Sequence, residues 1–403
     1  LVLLNHPDYI REVLVTNSRN FVKGRPLRLA KQLLGEGLLT SEGDFHARQS
    51  RIVQPALHAE RIRGYGSVVV ERAARAAAGW REGHTLDVMR EMVTLATEIA
   101  GITMFHWDME PSVAAGVGTA LDDAMSLFSR ASIPFAEWLL RLPLPSSRRF
   151  HRARAHLDTV IYRLIAERRR EARDRGDLLS MLLVAQDREG DGTGMTDTQV
   201  RDEALTLFLT ALDTTSLALT WTWYLLSQHP AVEMQLHAEL DRMLGDRPPS
   251  VDDIDRLPYT RMVFLEAMRL YPPIYAIARE ALHAFTVGGY TVPARTLVLM
   301  SPYLMHRDSR YYADPARFDP DRWHPDATAR LPKFAYFPFG GGPRGCIGQP
   351  YAMQEAVLVI ATVARHWRMR LSPGHSIAIR PLINLRPRDG MPMILERRRN
   401  GSV

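Results

Sequence analysis

The chain's only cysteine lies in the stretch Phe339-Gly-Gly-Gly-Pro-Arg-Gly-Cys346-Ile-Gly348. A lone cysteine has no partner for an intramolecular disulfide, and by default it is a small buried hydrophobe. Its neighbours argue for chemistry instead. Glycines on both sides let backbone approach a bulky group and adopt positive φ. A helical pattern opens just after the loop, so loop and helix-start amides can point at a thiolate and stabilise its charge. Arg344 can fork onto a carboxylate. A thiolate, a close-approach loop and a carboxylate clamp together suit haem, whose iron accepts an axial cysteine.

Two further constellations carry polar groups into apolar surroundings. Thr210-Ala211-Leu-Asp213-Thr214-Thr215 lies inside a long apolar helical stretch. Helical threonines ordinarily bond back to a preceding carbonyl, but an ionisable aspartate there needs a stronger reason. Glu266-Ala-Met-Arg269 places an acid and a base one turn apart. On a surface such a pair contributes little.

The elements that must position these groups are mainly helices, with small strands at the start and in the last third. Residues 7–17 read as a helix with proline near its start, and 22–43 as a Gly-, Pro- and Leu-containing connection long enough to be functional. Helical periodicity returns over 44–80, 86–105, 112–130 and 150–173. Asp187 to Gly194 is a polar loop, and Thr196-Asp-Thr-Gln199 offers a capping-box start. The helix that follows, 197–227, is apolar on most faces and should run through the core. Helices are expected at 230–244, 259–270 and 349–367. Residues 284–300 alternate around Gly288-Gly289 as a hairpin, 306–338 are rich in Pro, Asp and Arg, and short strands flank Gly374 and Gly390. No repeat or linker divides the chain, so a single domain over 1–403 is expected.

Composition narrows the function. The net charge of +6 is nearly all arginine, with lysines only at 23, 31 and 333. No basic run is interleaved with aromatics, which argues against nucleic-acid binding. One cysteine leaves a reducing compartment, the cytoplasm, as the expected location. No uninterrupted apolar run spans a bilayer and no signal peptide is evident. The chain opens at Leu1 without methionine, so an upstream segment, an anchor included, stays open.

The cysteine loop closely resembles the haem-binding signature of the cytochromes P450, Phe-x-x-Gly-x-Arg-x-Cys-x-Gly. Phe339, Gly342, Arg344, Cys346 and Gly348 match, and Ala352 and Glu355 fit its continuation. Glu266-x-x-Arg269 lies where the family has its Glu-x-x-Arg, and Pro320-Asp-Arg322-Trp323 resembles the later segment that supplies a partner arginine. The resemblance implies a mainly α fold with small β-sheets and haem b between the long core helix and the cysteine-loop helix. Glu266, Arg269 and Arg322 would form a buried locking network. The family usually carries a further helix and strand before this point, so the N-terminal region is expected to be missing.

The resemblance also implies roles. Cys346 would be the axial ligand of the haem iron, and Phe339, Gly348 and Ala211 would line the cofactor. Thr214 would hydrogen-bond dioxygen or its water, and Asp213 would relay protons. Thr210-Ala211 replaces the family's usual Ala-Gly or Gly-Gly, a mild departure because Ala211 is still small. Arg344 and Arg279 would hold propionates, and His46 aligns with the aromatic or histidine that usually contacts a propionate from the third helix. At position 50 the family normally has arginine; here Ser50 precedes Arg51. Either Arg51 reaches around or one propionate is held more weakly. Phe208, Ala211, Ile274, Tyr275, Ile277, Leu382 and Ile383 would face substrate, an apolar set that favours lipophilic molecules. Gly35 to His46 with Gln54-Pro55-Ala56-Leu57-His58 resembles bacterial members acting on fatty acids and terpenoids.

The activity so implied is monooxygenation of a C–H or C=C bond with dioxygen. Electrons would come from NAD(P)H through a ferredoxin or flavodoxin and its reductase. A small acidic ferredoxin would dock on the arginine-bearing cysteine side, and the protein would be a monomer. Two alternatives stay open: a peroxide-dependent peroxygenase or rearrangement enzyme, and a non-enzymatic haem-thiolate sensor. Members of the first kind commonly lack the acid–alcohol pair, so Asp213-Thr214 argues against them.

Overall fold

The structure, a computed structural model, describes residues 1–109, 116–120, 142, 144–171, 173–187, 190 and 192–398. It comprises two compact units: Leu1–Val22, Ile62–Leu95 and Thr214–Val403 form the first, Lys23–Arg61 and Ala96–Asp213 the second. The helix Asp197–Gln228 contributes residues to both.

In the first unit a four-stranded sheet runs in the order Val2–Leu4, Leu297–Met300, Ile277–Ala281, Phe21–Lys23. The first pair is parallel and the second antiparallel, with Arg279 opposite Val298. Behind it lies an apolar cluster that includes Ile10, Leu14, Phe285, Met300, Phe334 and Phe337. Strands Phe285–Val287 and Tyr290–Val292 form the expected hairpin. Gly288 and Gly289 have φ of +59° and +81°, the two positive values a tight primed turn requires. Thr85–Asp87, Pro392–Arg397 and Trp367–Leu371 make a three-stranded sheet, and Ile379–Pro381 pairs with Leu385–Pro387. Helices Pro230–Leu244, Pro258–Leu270 and Gln349–Ala364 fall where periodicity places them.

The second unit is helical. Arg25–Leu34 is a helix rather than the expected connection. Its apolar residues Leu29, Ala30, Leu33 and Leu34 recur at helical spacing and are buried, and Pro26 occupies the first turn, where proline costs no hydrogen bond. Only 35–42 remains irregular. The stretch 44–80 is broken by the 3₁₀ turn Gln54–Leu57, with Pro55 near its start, between the helices Gly43–Val53 and Ala59–Gly64. Arg168 bonds the Phe105 carbonyl at 3.0 Å and Asp177 at 2.7 Å, tying Pro145–Glu171 to the end of Val88–Phe105. The expected helix over 112–130 lies outside the described residues except 116–120, which are helical. Within the polar loop, Arg188, Glu189 and Asp191 also lie outside them.

The core helix begins as its sequence dictates. Thr196 N–H donates to Gln199 Oε1 at 2.9 Å and Gln199 N–H to Thr196 Oγ1 at 3.3 Å, a reciprocal cap. Among the described residues this is the one helix long and apolar enough to cross a membrane, yet 83% of its most apolar window is buried in the protein.

Candidate functional site

The cysteine loop is shaped by its glycines, Gly342 above all. Gly340 and Gly342 have φ of +69° and +68°, a region L-residues avoid. A Cβ on Gly342 would lie 1.9 Å from the Leu14 carbonyl oxygen, and one on Gly341 would lie 2.4 Å from the Phe334 ring. Leu14 sits in a π-helical turn, Glu12–Thr16, that follows the helix Pro7–Arg11. Cys346 N–H donates to Phe339 O at 2.9 Å and Gly345 N–H to Gly342 O at 3.0 Å, closing the loop on itself. Phe339, Arg344 and Gly348 are half-buried.

Cys346 has an exposed side chain, although surrounding protein desolvates it enough to push its thiol pKa up. Both hold for a thiol recessed in a loop with one direction open. Amides of Gly348 and Gln349, at the start of the helix Gln349–Ala364, pull in the opposite direction by stabilising the thiolate. Cys346 is the chain's only thiol. Among the described residues no cluster of His, Cys, Asp or Glu could hold a metal ion. An iron at this thiol must bring its remaining ligands with it, as a porphyrin does. The residues present fit haem.

Below the loop, Glu266 gathers its partners within the same unit. Its oxygens accept from Arg269 Nε at 2.7 Å and Nη2 at 2.8 Å, from Trp323 Nε1 at 2.9 Å and from the Asp319 amide at 3.0 Å. Arg322 Nε approaches to 3.4 Å. Arg269 spends its remaining donors on the carbonyls of His306, Pro315 and Arg317. His306, fully buried, accepts the Phe337 amide through Nε2 at 3.0 Å, two residues before Phe339. Burial and the Arg269 charge press its pKa down to about 3, so it stays neutral and keeps that acceptor. The segment entering the cysteine loop is thereby bonded to the network.

On the core helix, residues 201–223 are buried except Thr210, Ala211 and Thr214. That spacing is one helical face, so the half-open strip falls on the acid–alcohol segment. Thr210 Oγ1 bonds the Thr206 carbonyl at 2.7 Å, as a helical threonine ordinarily does. Asp213 is 4% exposed.

The expected propionate contacts differ among themselves. Arg279 lies mid-strand with Nη1 on the Ala278 carbonyl. His46 is buried, with Nδ1 3.3 Å from Ser41 Oγ. Arg51 is engaged by the buried Asp187, Nε to Oδ1 at 3.1 Å and Nη2 to Oδ2 at 2.8 Å; Ser50 is half-buried. Of the expected substrate contacts, Ile274, Tyr275, Ile277, Leu382 and Ile383 share one unit and are half-buried. Tyr275 OH bonds the Leu382 carbonyl at 2.9 Å, joining the two segments. Phe208 is buried edge-on against Phe105, ring centroids 5.3 Å apart.

Sequence reasoning missed Glu203 and Lys23. Lys23 Nζ takes the carbonyls of Leu38 and Ser41 at 3.0 and 2.8 Å, and Glu203 Oε2 takes the Leu38 amide at 2.9 Å. The only available signal was an acid at the start of an otherwise apolar helix.

A cysteine thiol offered from a glycine loop at a helix start, in a mainly helical scaffold, defines a haem-thiolate oxidoreductase. The family model for Cytochrome P450 matches residues 1–385, and the chain belongs to that family of haem- and dioxygen-using monooxygenases. It is 41% identical over 382 residues to cyclooctatin synthase of Streptomyces melanosporofaciens, covering 94% of this chain and 83% of that one. It is 34% identical over 370 residues to pentalenene oxygenase of Streptomyces avermitilis, covering 91% and 81%. The crystal structure of the cytochrome P450DA heme domain superposes with a TM-score of 0.88 at 28% identity, covering 98% of this chain and 88% of that one.

Proposed function

We propose that this cytochrome P450 hydroxylates or epoxidises a terpenoid skeleton bearing few polar groups, in the cytoplasm, as a single-domain monomer. The carrying observation is the buried Asp213 beside half-buried Thr214 on the core helix. Haem would be held by Cys346, with Arg344 and Arg279 at its carboxylates and His46 as a further carboxylate contact, and it would supply the iron that activates dioxygen, the thiolate favouring O–O cleavage. Asp213 would relay the two protons that cleavage consumes, and the Thr214 hydroxyl would hydrogen-bond dioxygen or its water. One oxygen atom would enter the substrate; the other, with two protons and the two electrons from NAD(P)H, would leave as water.

The substrate class is supported by two facts. The apolar residues Ile274, Ile277, Leu382 and Ile383 offer few hydrogen bonds, a lining suited to hydrocarbon. A relative named for oxygenating pentalenene covers nearly the whole chain. The electrons of NAD(P)H come through a ferredoxin or flavodoxin and its reductase, in keeping with the redox partners that bacterial members of the family use.

The test is NAD(P)H-driven turnover with a ferredoxin and reductase under ¹⁸O-labelled dioxygen, offering terpene hydrocarbons and fatty acids side by side. Labelled terpene product is expected. Fatty-acid products alone would overturn the substrate class, and full yield from peroxide alone would favour the peroxygenase.

A further inference from the structure

Glu203, Thr206, Thr210 and Asp213 succeed one another at steps of three, four and three along the core helix. Such steps keep side chains on one face, and the four span about 15 Å along the axis. Glu203 is 0% exposed. Its Oε2 accepts the Leu38 amide at 2.9 Å, while its Oε1 is buried without a protein partner. One turn on, Thr206 is 2% exposed and its hydroxyl is likewise buried and unpartnered. A Cβ on Gly37 would come within 2.2 Å of that hydroxyl, so the backbone of 35–42 closes over the same seam. Buried polar atoms rarely go unsatisfied. A carboxyl oxygen and a hydroxyl one turn apart call for a shared partner, and water supplies one.

We propose that Glu203 is the proton-supplying residue of a relay along this helix face, its proton passing along waters held in turn at Thr206 and at half-buried Thr210 to Asp213. The inference rests on the monooxygenase reading of Asp213. In each passage the Glu203 carboxylic acid releases a proton to the water at Thr206, that water releases one to a second water at Thr210, and the second water releases one to the Asp213 carboxylate. The Glu203 carboxylate left behind is stabilised by the Leu38 amide and the Lys23 ammonium, and it regains a proton from solvent past half-buried Leu38. Geometry and charge agree. Burial, with Asp202 nearby, holds the Glu203 carboxyl up at about 7, against the Leu38 amide and Lys23, which pull it down. Arg201 is occupied by Asp158, Asp202 and the Leu33 carbonyl. A group titrating near neutrality both gives and recovers a proton readily.

The experiment compares wild type, Glu203→Gln and Thr206→Val as holoproteins with the best substrate found. Glutamine can still accept the Leu38 amide, so the fold is kept while the acid is lost. Difference infrared spectroscopy should show a protonated carboxyl that titrates near neutrality in wild type and is missing in Glu203→Gln. Product per NAD(P)H in wild type should fall as pH rises through about 7. In both variants it should be several-fold lower, insensitive to pH over that range, with a larger solvent deuterium isotope effect and the balance released as hydrogen peroxide. Wild-type coupling and pH profile in either variant would overturn the relay. Thr214→Ala, run alongside, separates the causes: if it uncouples while Glu203→Gln does not, the relay fails and the function stands; if neither does, the role of Asp213-Thr214 fails with it.

Discussion

Arg269 and Glu266 face each other one turn apart, Nε to Oε2 at 2.7 Å and Nη2 to Oε1 at 2.8 Å, with both side chains 0% exposed. A buried ion pair of this kind adds little over an apolar pair, but breaking it strands a charge and costs about 3–5 kcal/mol. Glu266→Gln should therefore lower the stability read from the urea midpoint by that amount at unchanged slope and reduce haem retention, because the same carboxylate holds the Asp319 amide and Trp323. A shift near zero would show that Arg269 is satisfied by its three carbonyls alone.

Gly342→Ala should be worse than its small size suggests. The positive φ alone costs about 1–2 kcal/mol, and the new Cβ would meet the Leu14 carbonyl at 1.9 Å. Gly374 is the control: its φ is +78°, but a Cβ added there would meet nothing within 4 Å, so Gly374→Ala should show the conformational cost only. Haem content and thermal midpoint of the two variants read the difference; equal losses would mean the Leu14 contact yields freely.

Cys346→Ala removes the only thiol. The reduced, carbon-monoxide-treated protein should lose the strongly red-shifted Soret band of thiolate ligation. An unaltered spectrum would place the iron ligand elsewhere.

Thr214→Ala should leave that spectrum and substrate binding intact while diverting electrons from product to hydrogen peroxide. Since positioned proton transfer is worth about 10²–10⁴-fold, the yield of product per NAD(P)H should fall steeply. An unchanged yield removes Thr214 from proton handling.

Burial holds the Glu355 carboxyl up at about 8, above its ordinary 4.5. Across that window the folded chain binds a proton the unfolded chain has lost, so stability is full below 4.5 and declines as pH rises through about 8. Glu203, held at about 7, acts with the same sign. Glu355→Gln should flatten the decline in urea midpoint between pH 4.5 and about 8, and an identical slope would show that Glu355 ionises freely. His306 and His237, held neutral down to about 3, act oppositely and cost stability as pH falls below 6.5.

Local signals were strongest where backbone chemistry admits few solutions. The hairpin at Gly288-Gly289, the cap at Thr196 and Gln199, and the glycine loop around Cys346 each follow from residues adjacent in the chain. The helix Arg25–Leu34 was hidden because its flanking glycines and Pro26 look like loop punctuation, whereas its buried apolar stripe only acquires meaning against neighbours. Arg51 shows the same limit. Nothing local says that Asp187, far along the chain, takes its guanidinium.

What could be read from the chain alone was the chemistry on offer: one thiol, an acid beside an alcohol in an apolar helix, and an acid–base pair one turn apart. Those features depend on residue type and short-range periodicity, which the backbone's few allowed conformations translate directly. Which charges are satisfied and which are not was settled by the folded arrangement. It surrounds Glu266 with four donors, seals His306 in a neutral state, and leaves Glu203 Oε1 and the Thr206 hydroxyl buried without protein partners. Desolvation and partnering depend on groups distant in sequence brought to within a few ångströms, a dependence that no local pattern encodes.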